Sequence, residues 1–219
     1  MSVRHGFEEE LIELKTLVLD MGRRAKNALT ESIEALVTQD IDRALEVIDK
    51  DYKINRLDDE INEKVIWLIA KQQPVASDLR RVISAIKIST DLERIGDLAV
   101  NISKSTIRVG EKELFKPLKD IPLMAEKVSD MLSQSMKAFH EEDVAIALET
   151  ADLDNEIDDM YGRLIKELLD YIAHNPELTP QVTQLAFICR HLERVGDHTT
   201  NISESVIFMV KGKQYDLNA

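Results

Sequence analysis

Asp91-Leu-Glu-Arg-Ile-Gly-Asp-Leu-Ala-Val-Asn-Ile-Ser103 returns 100 residues later as His191-Leu-Glu-Arg-Val-Gly-Asp-His-Thr-Thr-Asn-Ile-Ser203. The chain is therefore an internal duplication, and its 219 residues divide into two similar units. Outside the string, Asp40, Asp51, Ile54 and Ile61 match Asp143, Asp154, Ile157 and Leu164 at an offset of 103. Three residues are lost around the turns at Pro74 and Pro176. Glu93, Arg94, Gly96, Asp97 and Asn101 are unchanged in the second copy, and a hydrophobic core asks for none of them. They are the first place to look for function.

Working outward, every long segment carries a helical period. Phe7, Leu11, Leu14, Val18, Met21, Ala25, Ala28 and Ser32 alternate steps of four and three, a coiled-coil-like seam. After a break at Thr38-Gln-Asp40, where Thr or Asp can cap, a second helix carries Leu45, Ile54, Leu57, Ile61, Val65 and Leu68 and stops before Pro74. A third runs from about Ser77 to Arg108 through Leu79, Ile83, Ile88, Leu92, Ile95, Ala99 and Ile102. Gly110, Pro117 and Pro122 mark the linker. Fourth and fifth helices follow over about 118–140 and 142–174, and Thr179-Pro180, a capping Thr before a first-turn Pro, opens the sixth. Short connections make neighbours antiparallel. The expected fold is all-α, two tandem antiparallel three-helix bundles, residues 1–112 and 113–219.

Composition agrees with that class and narrows the partners. Seven Gly, five Pro and 5% aromatic residues describe a helical protein rather than a sheet or a disordered tail. The net charge of −13 falls mostly on the second half, which argues against nucleic acid and favours cations or a basic protein surface. No apolar run is long enough for a membrane span, and the start lacks a signal-peptide core. A cytoplasmic protein with one buried, unoxidised thiol at Cys189 is expected. Long amphipathic helices with an acidic second half also suit pairing, so a homodimer is expected.

On a helix the signature separates into two faces. Leu92, Ile95, Ala99 and Ile102 fall within about 80° and face the core. Glu93, Asp97 and Asn101 drift only about 40° per step and form a row elsewhere on the helix, repeated by Glu193, Asp197 and Asn201. Hard cations take such oxygen ligands and can share bridging carboxylates along a row. Asp51 and Asn55, with Asp154 and Asp158 in the second unit, offer further oxygens if the second and third helices pack antiparallel. The competing reading is a solvated face of surface ion pairs worth about 0–1 kcal/mol each. Recurrence in register in both halves weighs against it. Gly96 and Gly196 cost their helices about 1 kcal/mol relative to Ala. That suits close approach of a neighbouring helix or of a bound ion.

Other constellations are weaker. Ferritin-like sites need Glu-x-x-His, which none of the five histidines provides. Zinc-protease spacing and phosphate loops are missing as well. His191 and His198 occur only in the second copy, where the first has Asp91 and Leu98, and suit a surface or an interface better than a ligand set. Asp78, Arg80 and Arg81 open the third helix, with the acid at its positive end, and read as a capping turn before an anion site.

Over nearly its whole length the chain resembles the PhoU family of bacterial phosphate-signalling regulators. The likeness rests on Gln73-Pro74 with Asp78-Leu-Arg80, and on Leu92-Glu-Arg-Ile-Gly-Asp97 through Asn101-Ile102 with its second copy, Leu192-Glu-Arg-Val-Gly-Asp197 through Asn201-Ile202. The resemblance implies tandem three-helix bundles whose Glu/Asp-x-x-x-Asp motifs hold metal ions, in some members as iron or zinc clusters. Carried over, it assigns Glu93, Asp97 and Asn101 to one cluster and Glu193, Asp197 and Asn201 to the other. Asp51, Asn55, Asp154 and Asp158 become contributors, with Asn55 departing from the acid at Asp158. Oxygen-only sets suit magnesium, calcium, manganese or ferric iron, and recruiting a histidine would admit zinc.

The resemblance also implies a non-enzymatic, cytoplasmic negative regulator of phosphate-starvation signalling and phosphate uptake. Its partners would be the ATP-binding subunit of the phosphate transporter and a phosphate-sensing membrane histidine kinase, so any membrane contact is indirect. Two alternatives stand beside this: a metal-assisted phosphate-ester hydrolase, and a metal-free helical scaffold.

Overall fold

The computed structural model describes residues 3–110, 114–115 and 118–217. Pro117 and the 112/113 boundary between the two units lie outside these residues. Among the described residues eight α-helices follow one another: α1 (Val3–Thr38), α2 (Ile41–Lys50), α3 (Tyr52–Gln72), α4 (Ala76–Val109), α5 (Asp120–Glu141), α6 (Val144–Asp152), α7 (Asp154–His174) and α8 (Thr179–Lys211). A short 3-10 turn, Pro176–Leu178, precedes the last, and the described residues contain no strand. The protein is all-α, and each unit folds as a three-helix bundle.

The second and fifth helices of the sequence reading each divide in two. At Asp51 the backbone N–H reaches Ile48 at 3.4 Å, three residues back, and the Asp51 carbonyl accepts from Ile54 at 2.8 Å. Leu153 does the same with Thr150 (3.2 Å) and Glu156 (3.1 Å). These tightened, 3-10-like turns interrupt the α-helical ladder without Gly or Pro. Ladder breaks therefore fall at Asp51 and next to Asp154, two of the candidate ligands.

Caps account for the starts of α2 and α6. Asp40 accepts from the Arg43 N–H at 2.9 Å, and Asp143 from Ala145 and Ile146 at 2.7 and 3.2 Å. Thr179 does not cap α8 as expected: its hydroxyl donates to the Pro176 carbonyl at 2.6 Å, because the 3-10 turn already supplies the entry.

The two bundles merge. Helices α4 and α8 share the most extensive helix contact in the molecule. They run antiparallel, as three contacts in register attest. Arg80 Nε donates to the Met209 carbonyl at 3.3 Å, Ser84 Oγ to the Ser205 carbonyl at 3.2 Å, and His198 Nδ1 to Asp91 at 2.9 Å. On the other side α5 lies along α1, with Lys15 Nζ on the His140 carbonyl (2.6 Å) and Lys26 Nζ on Ser133 (2.7 Å). So α1, α4, α5 and α8 form a four-helix centre, with α2 and α3 flanking one side and α6 and α7 the other. One hydrophobic cluster runs through both units, and Cys189 is buried in it.

This explains where the apolar stripes depart from expectation. Helix α4 packs against α1, α3 and α8, so it is buried on more than one face, at Ser84, Leu98, Val100 and Ser105 as well as Leu92 and Ile95. Leu45 and Leu79, assigned to the stripes, are instead exposed.

Candidate metal centre

Antiparallel packing of α3 on α4 brings the expected second row of oxygens to the first. A Cβ built on Gly96 would meet Ile54 Cδ1 at 3.0 Å and Asp51 Oδ1 at 3.3 Å. On Gly196 it would meet Asp154 Oδ1 at only 2.6 Å. The paired glycines therefore serve close approach: a bare helix backbone lets the next helix seat an aspartate on it. Asp51 follows Gly96 into the first site, and Asp154 follows Gly196 into the second.

In the first unit Asp51, Glu93 and Asp97 are half-buried and Asn55 is exposed. The Asn55 amide donates to Asp51 Oδ2 at 3.0 Å, so Asn55 presents a donor to its neighbouring acid. Asp51 Oδ1 is buried and has no hydrogen-bond partner. Burial raises the Asp51 carboxyl above its usual range, against the Asn55 hydrogen bond, and the charge of Asp97 adds to the rise. Burial also raises Glu93, with Asp97, Asp58 and Asp51 pushing the same way and Arg94 opposing. Asp58 was not among the expected residues. It stands seven residues after Asp51 on the same face of α3, a spacing that was legible in the sequence.

The second unit is tighter. Glu193 is 9% exposed, and its Oε2 is buried without a partner, as is Asp154 Oδ1. Asp154 is pushed up to about 6, first by burial and then by the charges of Asp158, Asp197 and Glu193, with the neighbouring Thr200 hydroxyl opposing. Burial followed by neighbouring carboxylates likewise raises Glu193 and Asp197. Asp158 is exposed at the rim. These mutual effects gather Asp154, Asp158, Glu193 and Asp197 into one electrostatic unit.

Asn201 also reaches the other unit. Its amide donates across the inter-unit interface to Asp91 Oδ1 at 3.3 Å, beside His198 on the same oxygen at 2.9 Å. The α4–α8 register turns both side chains toward the first unit. Asn101 is half-buried one turn beyond Asp97. Asp78 and Arg81 pair at 3.3 Å, and Arg81 also holds Glu142 at 2.9 Å, so this turn links the units.

Among the described residues, no three His, Cys, Asp or Glu side chains stand ready-made to hold a metal ion. Arginines supply counter-charge instead: Arg94 to Glu93 (3.3 Å) and Asp97 (2.9 Å), and Arg190 to Glu193. Both are about half exposed. The donor set nevertheless fits a hard cation. Buried carboxylate oxygens without a donor normally have a hydrogen bond, a water or an ion, and here they belong to acids whose neighbours are also acids. An oxygen-binding cation would relieve that repulsion and draw the carboxylates together.

The chain is similar to proteins of one kind. The PhoU domain family matches residues 18–106 and 121–206. A Clostridium acetobutylicum protein described as a phosphate-specific transport system accessory protein PhoU homolog is 42% identical, covering 98% of this chain and 99% of its own. A Zymomonas mobilis protein of the same description is 37% identical, covering 95% and 88%. The crystal structure of the phosphate transport system regulatory protein PhoU from Streptococcus pneumoniae superposes with a TM-score of 0.90 at 31% identity, over 96% of this chain and 99% of that one. PhoU from Pseudomonas aeruginosa gives a TM-score of 0.91 at 33% identity, over 94% and 100%.

Proposed function

Since the chain belongs to the PhoU domain family, we propose that it regulates phosphate uptake by binding hard cations in its two acidic rows and contacting the transport machinery. Relatives are described as accessory proteins of the phosphate-specific transport system, and a role in phosphate transport regulation follows from that kinship. The finer reading is repression of phosphate-starvation signalling in the cytoplasm. Its partners are the transporter's ATP-binding subunit and a sensor histidine kinase, and the membrane is reached only through them. No described helix is long and apolar enough to cross a membrane.

The observation that carries the cation reading is the pair of partnerless buried oxygens, Asp154 Oδ1 and Glu193 Oε2, inside a cluster of four acids. A bound cation would supply charge neutralisation. The chain's own residues would hold it: Glu93, Asp97 and Asp51 in one unit, Glu193, Asp197, Asp154 and Asp158 in the other. Iron, zinc, magnesium, calcium and manganese remain the candidates. Because His198 is engaged by Asp91, zinc fits less well than the oxygen-seeking ions.

Metal analysis of the protein purified without added metal, against a variant with Glu93, Asp97, Glu193 and Asp197 changed to Ala, tests the cation reading. Equal metal content in both would refute it. Loss of the gene should derepress phosphate-uptake genes in phosphate-rich medium, and unchanged expression would refute the regulatory reading. Association with a second copy belongs to the same reading, resting on exposed apolar side chains such as Ile12 and Ile66, both 65% exposed. Sedimentation as a monomer would remove it.

A further inference from the structure

The two ends of the four-helix centre are covered differently. Where α4 begins and α8 finishes, a cavity of about 330 Å³ opens between Leu11, Ile12 and Leu14 of α1, Ala85 of α4, Phe139 of α5 and Met209 of α8. Its walls are almost wholly apolar, and its size falls in the range of binding pockets. Lys15, Arg81 and Glu142 stand at its rim. None of these residues belongs to either acidic row.

The duplication supplies a matching end for comparison. Because α4 and α8 run antiparallel, repeat-related residues stand at opposite ends of the centre. Arg81 and Ala85 correspond to Gln181 and Leu185 at the offset of 100, and Phe139 and Glu142 correspond to Leu36 and Gln39 at 103. At that end the linker folds in. The Phe115 N–H donates to Gln181 Oε1 at 3.1 Å, the ring sits 4.7 Å from Tyr171 between centres, and Leu114 and Leu118 pack against the core. Gln39 steadies the approach, its amide donating to the Gly110 carbonyl at 2.9 Å.

The repeat equivalents of Leu114 and Phe115 are Leu11 and Ile12, which lie inside the long helix α1. A helix cannot turn inward as an irregular segment does. Ile12 therefore stays 65% exposed beside an open cavity, and Ala85 occupies less of its floor than a leucine would. The rim has the polar groups that a main chain needs. Arg81 holds Glu142 Oε2 at 2.9 Å, while Glu142 Oε1 stands 4.0 Å from Lys15 Nζ, beyond hydrogen-bond distance, and can accept a peptide N–H.

We propose that this cavity docks an extended apolar peptide segment of a partner protein. The segment seats a leucine- or phenylalanine-sized side chain over Ala85 and gives a main-chain N–H to Glu142, as the linker gives one to Gln181. The linker, in the repeat-related place, is the argument for that occupant. The proposal goes beyond the cation reading and stands without it.

The linker also supplies the probe. A fluorescein-labelled peptide of residues 111–119, Glu-Lys-Glu-Leu-Phe-Lys-Pro-Leu-Lys, is titrated with the full-length chain and followed by fluorescence anisotropy. Saturable binding is expected. Ala85→Leu, which puts the second unit's residue on the floor, should weaken it by at least about tenfold, the least that losing one buried apolar side chain costs. Ile12→Asp, at an exposed wall where folding is not at stake, should do the same. A peptide with its Leu114 and Phe115 positions changed to Ala should bind as poorly. Ile66→Ala, at an exposed apolar residue of α3, should change nothing. Thermal melts of Ala85→Leu should match or exceed the parent, and Ile12→Asp decides the matter if they do not. Failure of the peptide to bind overturns the proposal, whether or not a small amphipath such as octanoate enters the cavity. Binding that survives both Ala85→Leu and Ile12→Asp overturns it too. A dimer in sedimentation that Ala85→Leu converts to monomer assigns the cavity to a second copy and likewise overturns it.

Discussion

Replacing Gly196 with Ala separates helix propensity from site geometry. Alanine in a helix interior is worth about 1 kcal/mol over glycine. Gly162, exposed in the middle of α7 with nothing within 4 Å of a new Cβ, should deliver that gain. For a chain of this length it raises Tm by roughly 2–4 °C. At Gly196 the same Cβ would stand 2.6 Å from Asp154 Oδ1, well inside contact distance. The carboxylate must then move, and overpacking a tight site costs about 1–3 kcal/mol. The net change for Gly196→Ala is thus between about zero and 2 kcal/mol of destabilisation. Gly96→Ala, with contacts of 3.0 and 3.3 Å, should fall between the two. Denaturant titrations of the three variants give the order directly. If Gly196→Ala stabilises as much as Gly162→Ala, Asp154 does not rest on Gly196 and the account of the glycines is wrong.

Three further outcomes are expected. Asp154, pushed up to about 6 from its ordinary value of 3.8, binds its proton more tightly folded than unfolded, so its contribution to stability falls as pH rises through that window. Asp154→Asn should therefore be more stable than the parent at pH 8 without metal, with the advantage gone near pH 4, as thermal melts across pH would reveal. Asp91→Ala strands the donors of His198 and Asn201 in a part-buried interface and should cost about 1–3 kcal/mol in equilibrium unfolding. Because the core is continuous, the full chain should unfold in one transition, and residues 1–110 alone should self-associate through the uncovered face of α4 in sedimentation.

The duplication and the helical period carried most of the architecture, because both are properties of the string itself. The three-helix unit follows from seams such as Leu57, Ile61, Val65 and Leu68, all buried as expected. What the period could not reveal was a helix buried on several faces. Ser84, Ser105 and Val100 break an amphipathic pattern yet are buried, because α4 packs against helices on several sides, with α8 reaching Ser84, and a seam computed for one partner misses the others. The breaks at Asp51 and Leu153 were equally hidden, since tightened turns made of ordinary helix formers leave no Gly or Pro behind.

At the site, the rows Glu93–Asp97 and Glu193–Asp197 and their opposite numbers Asp51 and Asp154 were legible from spacing. The Asn201 amide reaches Asp91 because a position three to four residues along a row can also face the neighbouring helix, and only packing decides which. Asp58 was overlooked for the opposite reason: its counterpart is Tyr161, and a search by repeat equivalence discards residues that have no twin.

The antiparallel meeting of α4 and α8 bears on why the two units share one chain. Two separate, identical subunits meeting in this way would present the same residues at both ends of a two-fold contact. Any charge pair would have to occur twice or not at all. Joined in one polypeptide, the contact is released from that rule: Asp91 receives His198 at one end, while the register brings Leu98 level with His191 at the other. Fusion lets a symmetric surface evolve two different halves, and with them two acidic rows free to drift apart in sequence.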